Sequence, residues 1–300
     1  MLKHEATTAS LPLKLNVNMK KIIVSTLMAL FITPVMLSAQ TIKLPAASPS
    51  QTIKQEFALS EISVSYSRPS VKGRKVMGDL VPFNNEVWRT GANQPTKITF
   101  GENVKIAGNN VPKGEYALYT IPAKDEWTII LSKNTALWGS MGYQQSDDLL
   151  RFKAKPVALP FDIETFTILF ADVKSESLEV QLLWENTAVG FTVNADIDAP
   201  IMKQIEASMA PADRRPYFEA ATYYYEAGKD LKQALEWANK AVEQNPQRYW
   251  VEHLKAKIQM KMGDKKGAIA TANKSMASAK SQKNADYVAL NEKLIAEAKK

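Results

Sequence analysis

Cysteine is absent from this chain of 300 residues, and histidine occurs only at His4 and His253. The first absence excludes disulfides, thiol nucleophiles, thiolate metal sites, iron–sulfur clusters and a lipid-anchor cysteine. The second leaves too few imidazoles for a His-rich metal site within one chain. Catalytic words are missing too. There is no G-x-x-x-x-G-K-S/T phosphate loop, no H-E-x-x-H pair, no G-x-S-x-G elbow and no Ser-x-x-Lys dyad. A Ser-His-Asp triad would need His253 to reach in from a separate helical region. Asn194, Asp196 and Asp198 begin like a calcium loop but lack its Gly and later Glu. The sequence therefore points to no catalytic residue, no metal and no cofactor. Carboxylate-only catalysis stays open, because a pair formed in space leaves no trace in sequence.

What is present is an ordinary globular composition, 45% hydrophobic and 23% charged, with length for one large or two ordinary domains. The first 39 residues read as an N-terminal extension and an export signal. Lys20-Lys21 precede an apolar run from Ile22 to Leu37, broken by Pro34, and Leu37-Ser38-Ala39 offers cleavage before Gln40. Residues 1–18 precede Met19, which opens a Met-Lys-Lys start of its own. No later apolar run reaches membrane length, so an extracytoplasmic protein without a transmembrane anchor is expected after cleavage. The formal charge of +7 is unevenly placed. Residues 40–198 carry 16 basic against 18 acidic side chains, residues 199–300 carry 18 against 12. Lys255, Lys257, Lys261, Lys265 and Lys266 belong to the basic third. Outside the cytoplasm nucleic acid is not the expected partner. An anionic envelope polymer or an acidic protein is compatible with this charge, and a solvated helix face is the plainer and favoured reading.

Two hydrophobic periods divide the chain. From about residue 53 to 195 the period is two, as in Ile62, Val64 and Tyr66, or Phe166, Ile168 and Phe170. Leu178, Val180, Leu182 and Trp184 repeat it, followed by Val189, Phe191 and Val193. Tyr116 to Ile121 and Trp127 to Leu131 flank a hairpin connection at residues 122–126, and Gly101-Glu102-Asn103 is a further turn. Eight or nine short strands over residues 40–198 predict an antiparallel β-sandwich or jelly-roll-like domain.

Beyond Pro200 the period is helical. Helices are expected over 199–209, 214–227, 230–244, 247–262, 265–280 and 284–299, with breaks at Pro211, Gly228, Asn245-Pro246 and Gly263. Ala234, Ala241 and Pro246 have the spacing of a tetratricopeptide second helix, and Ala268 and Ser275 follow the two alanines by 34 residues. The second unit is degenerate at Glu252, Lys255 and Gln259, and the last helix, with Tyr287, Leu290 and Leu294 on one stripe, reads as a cap. The fold class is thus α+β by domain, the β-sandwich being followed by an α-helical tetratricopeptide-like hairpin array over 199–300. So short an array is expected to pack on the β domain or on a partner.

Several words occur in a specific order: residues 67–74 (Ser-Arg-Pro-Ser-Val-Lys-Gly-Arg), 80–83 (Leu-Val-Pro-Phe) and 87–93 (Val-Trp-Arg-Thr-Gly-Ala-Asn). Residues 111–118 (Val-Pro-Lys-Gly-Glu-Tyr-Ala-Leu), 127–130 (Trp-Thr-Ile-Ile) and Trp138-Gly139 continue the series. Through them residues 64–195 resemble a bacterial envelope family known as domain-of-unknown-function family 2911. The resemblance implies an exported β domain, sometimes with tetratricopeptide-like helices behind it, and brings no activity with it. One departure is Gln94-Pro95, where similar proteins favour Glu-Ala, so no acid–base role is given to that position.

Three long-loop stretches carry the ligand-binding candidates. Arg68, Lys72 and Arg74, with Lys75, surround Gly73 and suit an anionic group. Trp88, Arg89 and Asn93 combine an aromatic face, a guanidinium fork and an amide. Trp138 and Tyr143 offer flat faces to a sugar or peptide ring. Arg89 has two readings, a bidentate hold on a ligand carboxylate or phosphate, or a lock on Asp79 or Glu86. Trp127 and Trp184 read as core, His253 as packed or solvated, and Asp147-Asp148 as a helix start or turn. The expected function is an exported binding module. Its β domain would hold an anionic or sugar-containing envelope ligand or a partner, and its helical repeats would contact a protein. The alternative is a carboxylate-dependent hydrolase or isomerase acting on an envelope polymer.

Overall fold

The computed structural model describes residues 44–81, 83–210 and 215–300, and the expected export signal lies outside the described residues. Two antiparallel sheets come first. One runs in the order β1 (Ser50–Phe57), β2 (Ser60–Ser67), β3 (Thr96–Phe100), β6 (Gly114–Ile121), β7 (Trp127–Ser132) and β8 (Asp148–Ala154). The other runs β5 (Asn109–Val111), β4 (Val104–Ile106), β10 (Ser177–Ala195) and β9 (Pro156–Ala171). Both are open. Ile62, Ile98, Leu118 and Ile129 of the first sheet share a single core with Ile106, Ile168, Val180 and Phe191 of the second.

The period-two pattern explains which side chains enter that core. Val180, Leu182 and Trp184 are buried on even positions, then Val189, Phe191 and Val193 on odd ones. The regular pleat of β10 must be interrupted between the two runs, because a regular strand cannot change face. The interruption is at Glu185, where the pairing shifts on both sides, Ala158 to Thr167 of β9 lying opposite Leu183 to Thr187 of β10, and the backbone enters the left-handed region at φ +48°. The turn at residues 101–103 carries the chain from one sheet to the other rather than closing a hairpin, since β3 pairs with β2 and β6 while β4 pairs with β5 and β10. Asp147-Asp148 is where a 3-10 turn, Gln145–Asp147, ends and β8 begins.

Six helices follow: α1 (Asp198–Ser208), α2 (Tyr217–Glu226), α3 (Leu231–Gln244), α4 (Tyr249–Lys261), α5 (Lys265–Ser281) and α6 (Ala285–Ala298). Asp230, Asp264 and Asn284 cap α3, α5 and α6 by accepting backbone N–H bonds. Gly228 and Gly263, at φ +66° and +85°, end α2 and α4 in the left-handed conformation that glycine adopts without a steric penalty. Ala234, Ala241, Ala268 and Ser275 are all buried. Small side chains there let α3 approach α2 and α4, and α5 approach α4 and α6. The array has its own two cores. One gathers Ala234, Ala238, Leu254 and Ile258 with Tyr224 and Trp237, the other Ala256, Ala268, Ala272 and Leu294.

Among the described residues no helix packs extensively against either sheet. The β domain instead hands over through α1, where Ile197 and Ile201 join the sheet core and Asp198 accepts from the Tyr223 hydroxyl and from Lys229 Nζ at 2.7 Å. These two donors hold the Asp198 carboxyl below the ordinary carboxylate range. Among the described residues no helix is long and apolar enough to cross a membrane.

Candidate functional site

The loop after β2 is tied down along its length. Arg68 donates from Nε to Phe166 O at 3.0 Å and from Nη2 to Thr167 Oγ1 at 2.8 Å. Arg74 closes its own turn on Val71 O and Ser70 O, and the Lys72 N–H donates to Glu164 Oε1 at 2.9 Å. The interruption that corrects the parity of β10 also aims Glu185 at this loop, where its two oxygens accept from Val76 N and Met77 N at 2.7 and 2.9 Å. Val76 and Val81 are thereby seated in the core. The guanidinium groups of Arg68 and Arg74 act on backbone and hydroxyl oxygens of this chain. The Lys72 side chain is exposed.

Residues 88–93 are stapled more tightly still. Trp88 exchanges backbone hydrogen bonds with Thr120, its ring lies stacked 6.0 Å from Trp184, and Phe166 and Trp127 meet it edge-on. Its indole Nε1–H donates to Gly91 O at 3.2 Å. Trp88 is therefore part of the sheet core. Thr90 is fully buried at φ +54°, a strained setting for a β-branched residue. Thr120 and Thr96 hold it there through their hydroxyls. A Cβ at Gly91 would meet Ser67 O at 2.9 Å, so only glycine passes that point. Asn93 Nδ2 donates to Ser48 O and Ser67 Oγ. Arg89 differs from its neighbours. Among the described residues its guanidinium has no hydrogen-bond or ion-pair partner, Asp79 and Glu86 included, and its Nε is buried unpaired. Its Cδ lies under Gly139, beside the exposed Trp138.

Tyr143 belongs to a cluster that the sequence did not announce. Its hydroxyl donates to Asp148 Oδ2 at 2.6 Å, and Arg151 donates to both partners. The Asp148 side chain is only 6% exposed, so this charge is neutralised where it is buried. Burial, and then the hydrogen bond to Asp148, push the Tyr143 phenol up to about 12. A phenol so held is no base near neutrality. The loop 137–143 thus closes over Tyr119 and Ile130 on the outer face of the first sheet.

Carboxylates do meet in one cleft of about 470 Å3, where Asp162, Glu164 and Glu185 face Lys75. Both Glu185 oxygens and one Glu164 oxygen are occupied by the backbone donors named above. Among the described residues no three His, Asp or Glu side chains come together as a metal site.

A second concave feature crosses the helical array. The first helices of the hairpins and the cap, α2, α4 and α6, line a groove of about 290 Å3. Tyr225 comes from α2, His253, Lys257 and Lys261 from α4, and Leu290 and Lys293 from α6. The Lys257 and Lys261 ammonium groups lie 4.8 and 4.9 Å from the centroid of the Tyr225 ring. His253 Nδ1 lies 2.8 Å from Asn291 Oδ1. Asn291 Nδ2 donates to Ser275 Oγ and Tyr287 O, so its oxygen faces the imidazole and the Nδ1 proton is the donor. Of these groove residues, the sequence reading singled out Lys257 and Lys261 as basic and His253 and Leu290 as helix positions. Their convergence with Tyr225 and Lys293 needs the stacking of three helices.

The class is a two-sheet antiparallel β domain followed by a tetratricopeptide-like helical array. Residues 48–193 match the sequence profile of a family described as protein of unknown function (DUF2911). Neither the curated proteins nor the solved structures contain a match to the chain.

Proposed function

We propose that this is an exported, non-enzymatic interaction protein that takes a segment of a protein partner in the groove across α2, α4 and α6. The observation that carries the reading is the groove itself. It is open, it combines an aromatic ring and aliphatic side chains with ammonium groups that have no ion-pair partner among the described residues, and no part of the described chain fills it. Binding sites commonly join an apolar floor to a few convergent polar groups. The export signal read in residues 19–39 supports a location outside the cytoplasm. The β domain adds a second, smaller feature, the unpaired Arg89 under the Trp138-Gly139 turn, suited to an anionic group of the envelope. The engagement of Glu185 and Glu164 with backbone donors favours binding over carboxylate catalysis, since two of the cleft's three acids already brace the loop beside them.

The test fills the groove without changing its charge. Leu290 is 46% exposed, so Leu290→Trp is tolerated by the array and occupies the space. The full chain, immobilised, is expected to retain a partner from an envelope extract of the producing cells, and the Leu290→Trp chain to lose it while melting normally. Retention of the same partner by both chains contradicts the reading.

A further inference from the structure

We infer that the groove selects an acidic segment, an extended stretch of partner chain with at least two carboxylates beside an apolar side chain. The inference rests on the groove reading above and names its ligand class. Lys257 and Lys261 are one helical turn apart, a spacing at which like charges repel. Both are nonetheless drawn to one Tyr225 ring, and Lys261 Nζ also donates to Tyr225 O at 3.2 Å. Cation–π contact and this hydrogen bond fix the two ammonium groups in place before any ligand arrives. Lys293 of α6 adds a third cation to the lining, and among the described residues that line the groove Glu297 is the one carboxylate. None of the three lysines has an ion-pair partner among the described residues. A concave wall with uncompensated charge of one sign concentrates its field on a ligand of the other sign.

The chemistry of the cations narrows the class. All three are lysines, point charges on flexible stems, and no arginine fork lines the groove for bidentate grip on phosphate. Exposed Leu290 lines the same groove and offers an apolar surface to an aliphatic side chain, which an inorganic anion does not have and a peptide does. A duplex nucleic acid would need a longer basic track than this groove provides.

His253 makes the binding sensitive to protons. The groups facing it are Lys257 on its own helix, Asn291 and Tyr287 on α6, and, across the groove, Lys293, Glu297 and Tyr225. Burial first, and then the Lys257 charge, hold the imidazole below its ordinary value, partly opposed by the Asn291 bond. The empty groove thus favours neutral His253. A carboxylate beside the ring favours the imidazolium, so binding takes up a proton and tightens as pH falls, until His253 is charged in the empty groove as well.

The probe is an eight-residue peptide alternating Leu and Glu, with its Leu–Gln counterpart and pyrophosphate as comparisons, titrated calorimetrically into the full chain. The Glu peptide is expected to bind, and the Gln peptide and pyrophosphate to bind at least about tenfold more weakly. Removing both charges in Lys257→Gln/Lys261→Gln should weaken the Glu peptide about tenfold or more, whereas Lys265→Gln/Lys266→Gln, the same charge change at exposed positions outside the groove, should cost less than about threefold. His253→Gln should remove this tightening at lower pH. Equal binding of the Glu and Gln peptides overturns the acidic class while leaving a groove that holds partners. Equal losses in the two lysine pairs, or pyrophosphate binding as tightly as the peptide, overturn it as well. If Leu290→Trp fails to release the natural partner, the groove reading itself falls.

Discussion

Trp88→Ala is expected to lower the stability of the β domain by about 3–5 kcal/mol, the range for deleting a large aromatic from a packed core. The ring contacts Trp184, Phe166 and Trp127 together, and no neighbour can close the space that its loss leaves. The lost indole N–H also leaves Gly91 O without its donor, beside the strained Thr90. Thermal unfolding should fall by about 10 °C or more. Its neighbour behaves oppositely. Arg89→Lys removes no partner, so its effect should stay within about 0.5 kcal/mol. Circular dichroism melts of the two variants check both statements. A small shift for Trp88→Ala would return that ring to the ligand-binding set, and a drop of a few kcal/mol for Arg89→Lys would make Arg89 a lock.

The second large effect is in the array. Ala234 is fully buried between α3 and its neighbours, and Ala234→Arg forces a long cation into a contact that holds no acceptor for it. Overpacking and an unpaired buried charge together should cost roughly 4 kcal/mol or more. Because this core rests on few side chains, the helices should lose cooperative melting while the β-sheet signal persists. Unchanged far-ultraviolet and melting curves would contradict the repeat alignment on which the groove depends.

Much of the fold was legible because periodicity is a local property. The six helices lie within a few residues of the spans read from the sequence, and the buried Ala234, Ala241, Ala268 and Ser275 fall on the 34-residue repeat. Even the Glu185 interruption left a mark, the change from even to odd apolar positions between Trp184 and Val189. The site was less legible for two physical reasons. A loop has no period, so nothing in the order Trp88, Arg89, Asn93 says which side chain turns inward. Sequence proximity grouped them, whereas the structure places Trp88 in the core, uses Asn93 as a tie and leaves Arg89 unpaired. The groove, in turn, is assembled from residues one repeat apart. Tyr225, Lys257 and Leu290 become neighbours only when α4 lies against both α2 and α6. Aligning the outward positions of the first helices would have brought them together.

The most direct test of the central claim is hydrogen–deuterium exchange on the full chain with and without the retained partner. Slowed exchange is expected in Tyr249–Lys261 and Ala285–Ala298, the two helices that supply most of the groove, with the loops at 68–75 and 138–143 unchanged. Protection confined to those β-domain loops, with both helices exchanging as in the free protein, would contradict the account.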